Sequence, residues 1–164
     1  MQKVIIGICI ICFTTFCGYA LTKKYRQRKS FFWQLKELNE RYLHEIAYYK
    51  RPLKEFLRAY PYVGEFALCL EDFWETLENG ARERGEEREE IELDFLTADE
   101  KTFLRDYFSM LGRGDSLSQK NFFSAMQVTV ANYKNKSEEE EKRYGDLYIK
   151  LGFLFGLAVL VLII

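Results

Sequence analysis

The chain has 164 residues with 24 basic and 25 acidic side chains, a formal net charge of −1 at pH 7, and a length that fits one ordinary domain plus short flanking elements. Its apolar residues are concentrated at the two ends, so the densely charged middle is soluble in its own right. Six basic residues (Lys3, Lys23, Lys24, Arg26, Arg28 and Lys29) flank the first apolar stretch, and the other 18 stand against 25 acids, a balance of about −7 that excludes ordinary nucleic-acid binding because phosphates are repelled.

Residues 4–21 carry no charge and as a helix would cover about 27 Å, enough for the hydrocarbon core of a membrane. The competing reading is a cleaved signal peptide, for which Gly18-Tyr19-Ala20 offers a small-x-small site. The flanking charge favours an uncleaved anchor. Only Lys3 precedes the stretch, whereas Lys23, Lys24, Arg26, Arg28 and Lys29 follow it, and basic residues stay on the cytoplasmic side. Cys9, Cys12 and Cys17 lie inside this stretch, where a thiol acts as a small hydrophobe. Cys9 and Cys12 form a CxxC, but no second ligand pair or thioredoxin-like setting accompanies it. Cys69 stands alone in the middle segment, which suits a reducing compartment.

Ser30 can cap a helix running to about Lys50, with Phe32, Leu35, Leu38, Tyr42, Ile46 and Tyr49 drawing one apolar stripe. Pro52 suits the first turn of a short helix over 53–60. A third helix covers about 64–79, with Phe66, Leu70, Phe73, Trp74 and Leu77 on its core face and Gly80 placed to end it. Residues 81–92 are a charge run with no apolar period, read as a solvated linker or frayed helix or, alternatively, a docking surface for a basic partner. Thr97 and Glu100 form a capping box for a helix through Leu104, Tyr107, Phe108 and Leu111, which Gly112 and Gly114 break. Asp115 can cap a long last helix whose expected inner stripe is Phe122, Ala125, Met126, Thr129 and Tyr133. On its outer face Glu138–Lys142 and Glu139–Arg143 are i,i+4 pairs.

No proline follows Asp115, so this helix can continue into the second apolar stretch, 151–164, extended back to Leu147 with Tyr148 at the interface and Lys150 snorkelling. Gly152 and Gly156 form a GxxxG, candidate packing residues for another helix, and Gly18 is placed to do the same in the first stretch. The expected organisation is all-α, a compact helical bundle between two transmembrane helices. The divisions fall at 3–22, 23–146 and 147–164, with the bundle in the cytoplasm.

The chemistry-bearing residues are few. His44 is the single histidine, with no metal-spaced partners, and reads as structural. No P-loop, GxSxG or HExxH is present, and the Arg113-Gly114-Asp115 triplet reads as coincidence in a cytoplasmic position. The sequence gives no reason to expect an enzyme, a cofactor or a metal.

Three segments resemble one family in order: Glu45-Ile46-Ala47-Tyr48-Tyr49-Lys50-Arg51-Pro52-Leu53; the turn Leu111-Gly112-Arg113-Gly114-Asp115 with Gln119; and the ending Tyr144-Gly145-Asp146-Leu147-Tyr148-Ile149-Lys150-Leu151-Gly152-Phe153-Leu154-Phe155-Gly156-Leu157. Together they resemble the stage III sporulation protein AB family, with Gly114 standing where that family usually has serine. The resemblance implies a non-catalytic subunit of a secretion-like complex between mother cell and forespore, in the outer forespore membrane. Its soluble domain would be similar to the inner-membrane platform domains of type II secretion and type IV pilus systems. Implied partners are a cytoplasmic ATPase and other membrane subunits, with a possible homo-oligomer, and Asp115 and Gln119 are candidates for partner contact or helix capping. A generic membrane-anchored scaffold, or a regulator of a membrane enzyme, is the alternative.

Overall fold

The structure is a computed structural model. It describes the backbone of residues 2–49, 51–78 and 93–163, and side chains from residue 9 onward except those of 76–78 and 163. Every element among the described residues is helical: α1 (Gln2–Leu21), α2 (Lys23–His44), α3 (Leu53–Ala59), α4 (Gly64–Glu78), α5 (Ala98–Met110) and α6 (Ser116–Ile163). A π-helical segment, Glu45–Tyr49, follows α2 directly. The expected end of the third helix at Gly80, the Leu77 side chain and the charge run 81–92 lie outside the described residues. By packing, the chain divides into two units, Ser30–Lys134 and Met1–Lys29 with Asn135–Ile164. This division cuts α2 and α6, whereas the sequence reading cut at the edges of the apolar stretches.

In the Ser30–Lys134 unit, α2 supplies Phe31, Phe32, Leu35, Leu38 and Tyr42 to the core, all buried. Ser30 does not cap this helix, which begins at Lys23. Only Thr22 interrupts the path from α1, its hydroxyl and amide both donating to the Tyr19 carbonyl, at 2.7 and 3.1 Å. The basic run between consists of good helix formers and needs no cap of its own. The apolar stripe also ends earlier than the sequence periodicity predicts. Ile46 is half-buried and Tyr49 exposed, because the wider π turn rotates them off the α-helical face.

Pro52 fixes the entry to α3, where its carbonyl accepts the Glu55 and Phe56 amides at 3.0 and 3.1 Å and Phe56 is driven into the core. The capping box opens α5 as expected: the Thr97 amide donates to Glu100 Oε2 at 2.9 Å and the Glu100 amide to Thr97 Oγ1 at 3.4 Å. Leu104, Tyr107, Phe108 and Leu111 are all buried. On α6 the inner stripe is displaced by one position. Phe123 and Val130 are fully buried, Phe122, Met126 and Tyr133 only partly, and Ala125 is exposed. Phe123 wins the centre because Tyr42 and Tyr107 meet it edge-on, with ring centroids 4.9 and 5.1 Å away, contacts worth about 0.5–1.5 kcal/mol each beyond area burial.

In the other unit α1 runs antiparallel to the C-terminal part of α6. Moving down α1 from Gly18 to Thr14 to Ile11, the facing positions on α6 climb from Tyr148 to Gly152 to Gly156. Among the described residues α6 is the one helix long and apolar enough to cross a membrane.

Candidate membrane anchor and partner-facing turn

Gly152 and Gly156 meet α1 at backbone distance. A Cβ on Gly152 would stand 2.6 Å from the Thr14 carbonyl oxygen, and one on Gly156 would press on Thr14 Oγ1 and stand 2.9 Å from Ile11 Cα. Gly18 answers from the other side, where a Cβ would lie 2.5 Å from the Tyr148 carbonyl oxygen. Small residues are what permit such an approach, and close packing is the main attraction between helices where no water is displaced. The hydroxyls at this seam are satisfied locally. Thr14 donates to Ile10 and Ile11 carbonyls at 3.0 and 3.1 Å and Thr15 to Ile11 at 2.7 Å, so neither leaves a polar group unmatched. The face away from the seam is apolar and exposed, including Phe13, Phe16, Leu151, Leu154, Phe155 and Val161.

Beyond the glycines the seam continues between the start of α2 and α6 through tyrosines. Tyr25 stacks on Tyr144 at 5.2 Å and on Tyr148 at 6.2 Å. The basic cluster then separates into two sets. Arg28 is buried and ion-paired to Glu140, and Lys29 bonds Glu141 at 3.1 Å. Lys23 and Lys24 are exposed and Arg26 half-exposed, Lys24 lying over the Tyr25 ring and Arg26 over that of Tyr19. The acids Glu140 and Glu141 therefore reach across to α2. Sequence spacing along one helix pointed instead to Glu139–Arg143, and no carboxylate pairs with Arg143 among the described residues.

The turn between α5 and α6 places Asp115 as the cap of α6, Oδ1 accepting the Ser118 amide at 2.7 Å. That bond holds the carboxyl below the usual aspartate range. Gly112 and Gly114 take positive φ, 75° and 82°, which breaks α5 from α6. Gln119, the other candidate for partner contact or helix capping, turns inward. It is buried, its amide nitrogen donates to the Arg113 and Gly114 carbonyls at 3.0 and 3.5 Å, and its oxygen accepts the Tyr42 hydroxyl. The Gly112 amide donates back to that hydroxyl at 3.3 Å. Gln119 thus ties the glycine turn to α2. Deeper in the core Asn39 makes a parallel tie, donating to the Phe123 carbonyl at 3.3 Å and accepting the Tyr107 hydroxyl at 3.0 Å.

Sequence periodicity missed a clamp at the π segment. Glu45 is buried, and its two oxygens accept three donors of one residue: the Arg51 amide and Nε at 3.0 Å and Nη2 at 2.7 Å. The forked pair holds the Glu45 carboxyl below its ordinary range. Six residues separate the partners, a spacing that no regular helix brings together, so only the Pro52 signal hinted at a break. The clamp fixes a segment that presents Tyr48 and Tyr49 to solvent, His44 stacked on Tyr48 and Arg51 over Tyr49. Beside it runs a groove of about 430 Å³ lined by Glu37, Glu40, Arg41, His44, Glu45, Tyr49 and Tyr60. Its charges are matched locally, Arg41 to Glu37 and Lys36 to Glu40. Among the described residues no three His, Cys, Asp or Glu side chains gather as a metal site.

A family model described as stage III sporulation protein AB matches residues 3–164. No curated protein and no solved structure matches the chain.

Proposed function

The chain belongs to the stage III sporulation protein AB family, and on that premise we propose that it is a non-catalytic platform or adaptor subunit of a secretion-like channel between mother cell and forespore. Its sporulation role follows from the family, and its membrane association from the apolar stretch of α6. In this reading α1 and the end of α6 are two transmembrane helices in the outer forespore membrane, forming one hairpin. The Ser30–Lys134 unit faces the mother-cell cytoplasm, where it couples a cytoplasmic ATPase to the other membrane subunits.

The observation that carries the reading is the seam of Gly18, Gly152 and Gly156. It supports α1 as a retained partner of α6, since a signal peptide would be removed and would leave Gly152 and Gly156 facing nothing. An anchored unit of helices whose buried polar groups (Asn39, Tyr42, Glu45, Gln119) serve internal ties fits a rigid mount. The test is in sporulating cells: crosslinking of the full chain is expected to capture the ATPase, and deletion to stop forespore gene expression after engulfment. Normal sporulation in the deletion strain would sink the proposal. Capture of membrane proteins without an ATPase would favour the generic scaffold instead.

A further inference from the structure

We propose that the junction of the two-helix unit is a binding collar for anionic phospholipid headgroups, built from Lys23, Lys24 and Arg26 on one helix and Arg143 on the other. The inference rests on the reading of α1 and α6 as a membrane hairpin and adds which lipids that hairpin selects. The structure sorts the basic residues in a way the sequence could not. Arg28 and Lys29 are used by Glu140 and Glu141, which removes two bases and two acids together from the exposed balance. Among the described residues no carboxylate pairs with Lys23, Lys24, Arg26 or Arg143. Three of them lie over tyrosine faces: Lys24 Nζ 5.2 Å from the Tyr25 ring, Arg26 Cζ 4.2 Å from Tyr19 and Arg143 Cζ 5.7 Å from Tyr144. Glu139 and Asp146 are exposed acids of the same stretch, but Lys142 and Lys150 are exposed there too, so the collar stays cationic.

The Tyr25–Tyr144–Tyr148 stack lies directly beside Leu147 and Leu151, both exposed, from which the apolar surface continues through Phe153 to Phe155. A cationic, tyrosine-backed ring bordering an exposed apolar belt has its charges at headgroup depth, where tyrosine is favoured. There each Lys or Arg raises partition to an anionic surface roughly fivefold. An acidic protein partner would have to share that level with the lipid.

The test uses the purified full chain in mixed micelles doped with phosphatidylglycerol or phosphatidylcholine, with retained lipid counted by native mass spectrometry. The wild type is expected to retain phosphatidylglycerol over phosphatidylcholine several-fold. Combined Lys23→Gln, Lys24→Gln, Arg26→Gln and Arg143→Gln should bring the ratio to about one, and Arg28→Gln should lower stability while keeping the ratio. An unchanged ratio in the fourfold variant overturns the proposal, as does displacement of the lipid by inorganic phosphate at matched ionic strength. Alkaline extraction of membranes separates the two readings: release of the wild type defeats the anchor itself, whereas a retained wild type with no lipid preference defeats the collar alone.

Discussion

Asn39 shows why a single polar residue in an apolar stripe matters. It sits on the core face of α2, almost fully buried, and both ends of its amide are matched, to the Phe123 carbonyl and the Tyr107 hydroxyl. Asn39→Ala leaves the Tyr107 hydroxyl buried without a partner, at about 1–3 kcal/mol, and also takes the second donor from the Phe123 carbonyl and opens a cavity in the core. Tyr107→Phe orphans only the Asn39 oxygen and should cost less. Chemical unfolding of the full chain in detergent is expected to rank them in that order, and equal losses would deny the network its role. Glu45 gives a pH dependence. Its folded value lies below the unfolded one because Arg51 bonds the charged form, so its stabilising contribution is complete above the ordinary glutamate range. It is lost as pH falls through the lowered value. The stability gap between wild type and Glu45→Gln should therefore be widest near neutral pH and close on acidification below about pH 4; a gap that persists in acid would contradict the pairing.

At the scale of elements, glycines that look alike in sequence separate by what faces them. Gly145 and Gly152 both lie within α6, yet a Cβ on Gly145 meets nothing within 4 Å while one on Gly152 runs into the α1 backbone. Gly145→Ala should stabilise the helix by up to about 1 kcal/mol through backbone entropy. Gly152→Ala should instead lower the thermal unfolding temperature of the full chain, since two backbones must part. The same direction for both would remove the seam as an explanation. The legible features were local ones. The capping box at Thr97 and Glu100, the apolar period of α5 and the Asp115 cap each need only four to eight residues of sequence. What escaped was set by partners distant in sequence: the π segment closed by Arg51, the one-step shift of the α6 stripe toward Tyr42 and Tyr107, and Gln119 drawn inside by Tyr42. The GxxxG spacing signalled that α6 would pack, and only the structure supplied α1 as the helix it meets.

For the whole molecule, the hairpin and the charge pattern make one demand from two directions. Antiparallel helices return the chain to the side from which it left, so residues just after α1 and just before the apolar end of α6 must share a compartment. In the proposed hairpin the basic residues at 23–29 and at 142, 143 and 150 assign that compartment to the cytoplasm. In that topology the N-terminus lies outside, which a tag placed before Met1 can report. In protoplasts of vegetative cells expressing the chain, where the cell membrane stands in for the outer forespore membrane, an external protease should remove the tag while sparing the Ser30–Lys134 unit, and the mass of the recovered chain should include residues 1–21. A chain that begins near residue 21 would mean that the first stretch is a cleaved leader, and the glycines of α6 would then need a partner from another protein. A protected tag on a full-length chain would invert the hairpin and leave Lys23, Lys24 and Arg26 on the side that the charge rule forbids.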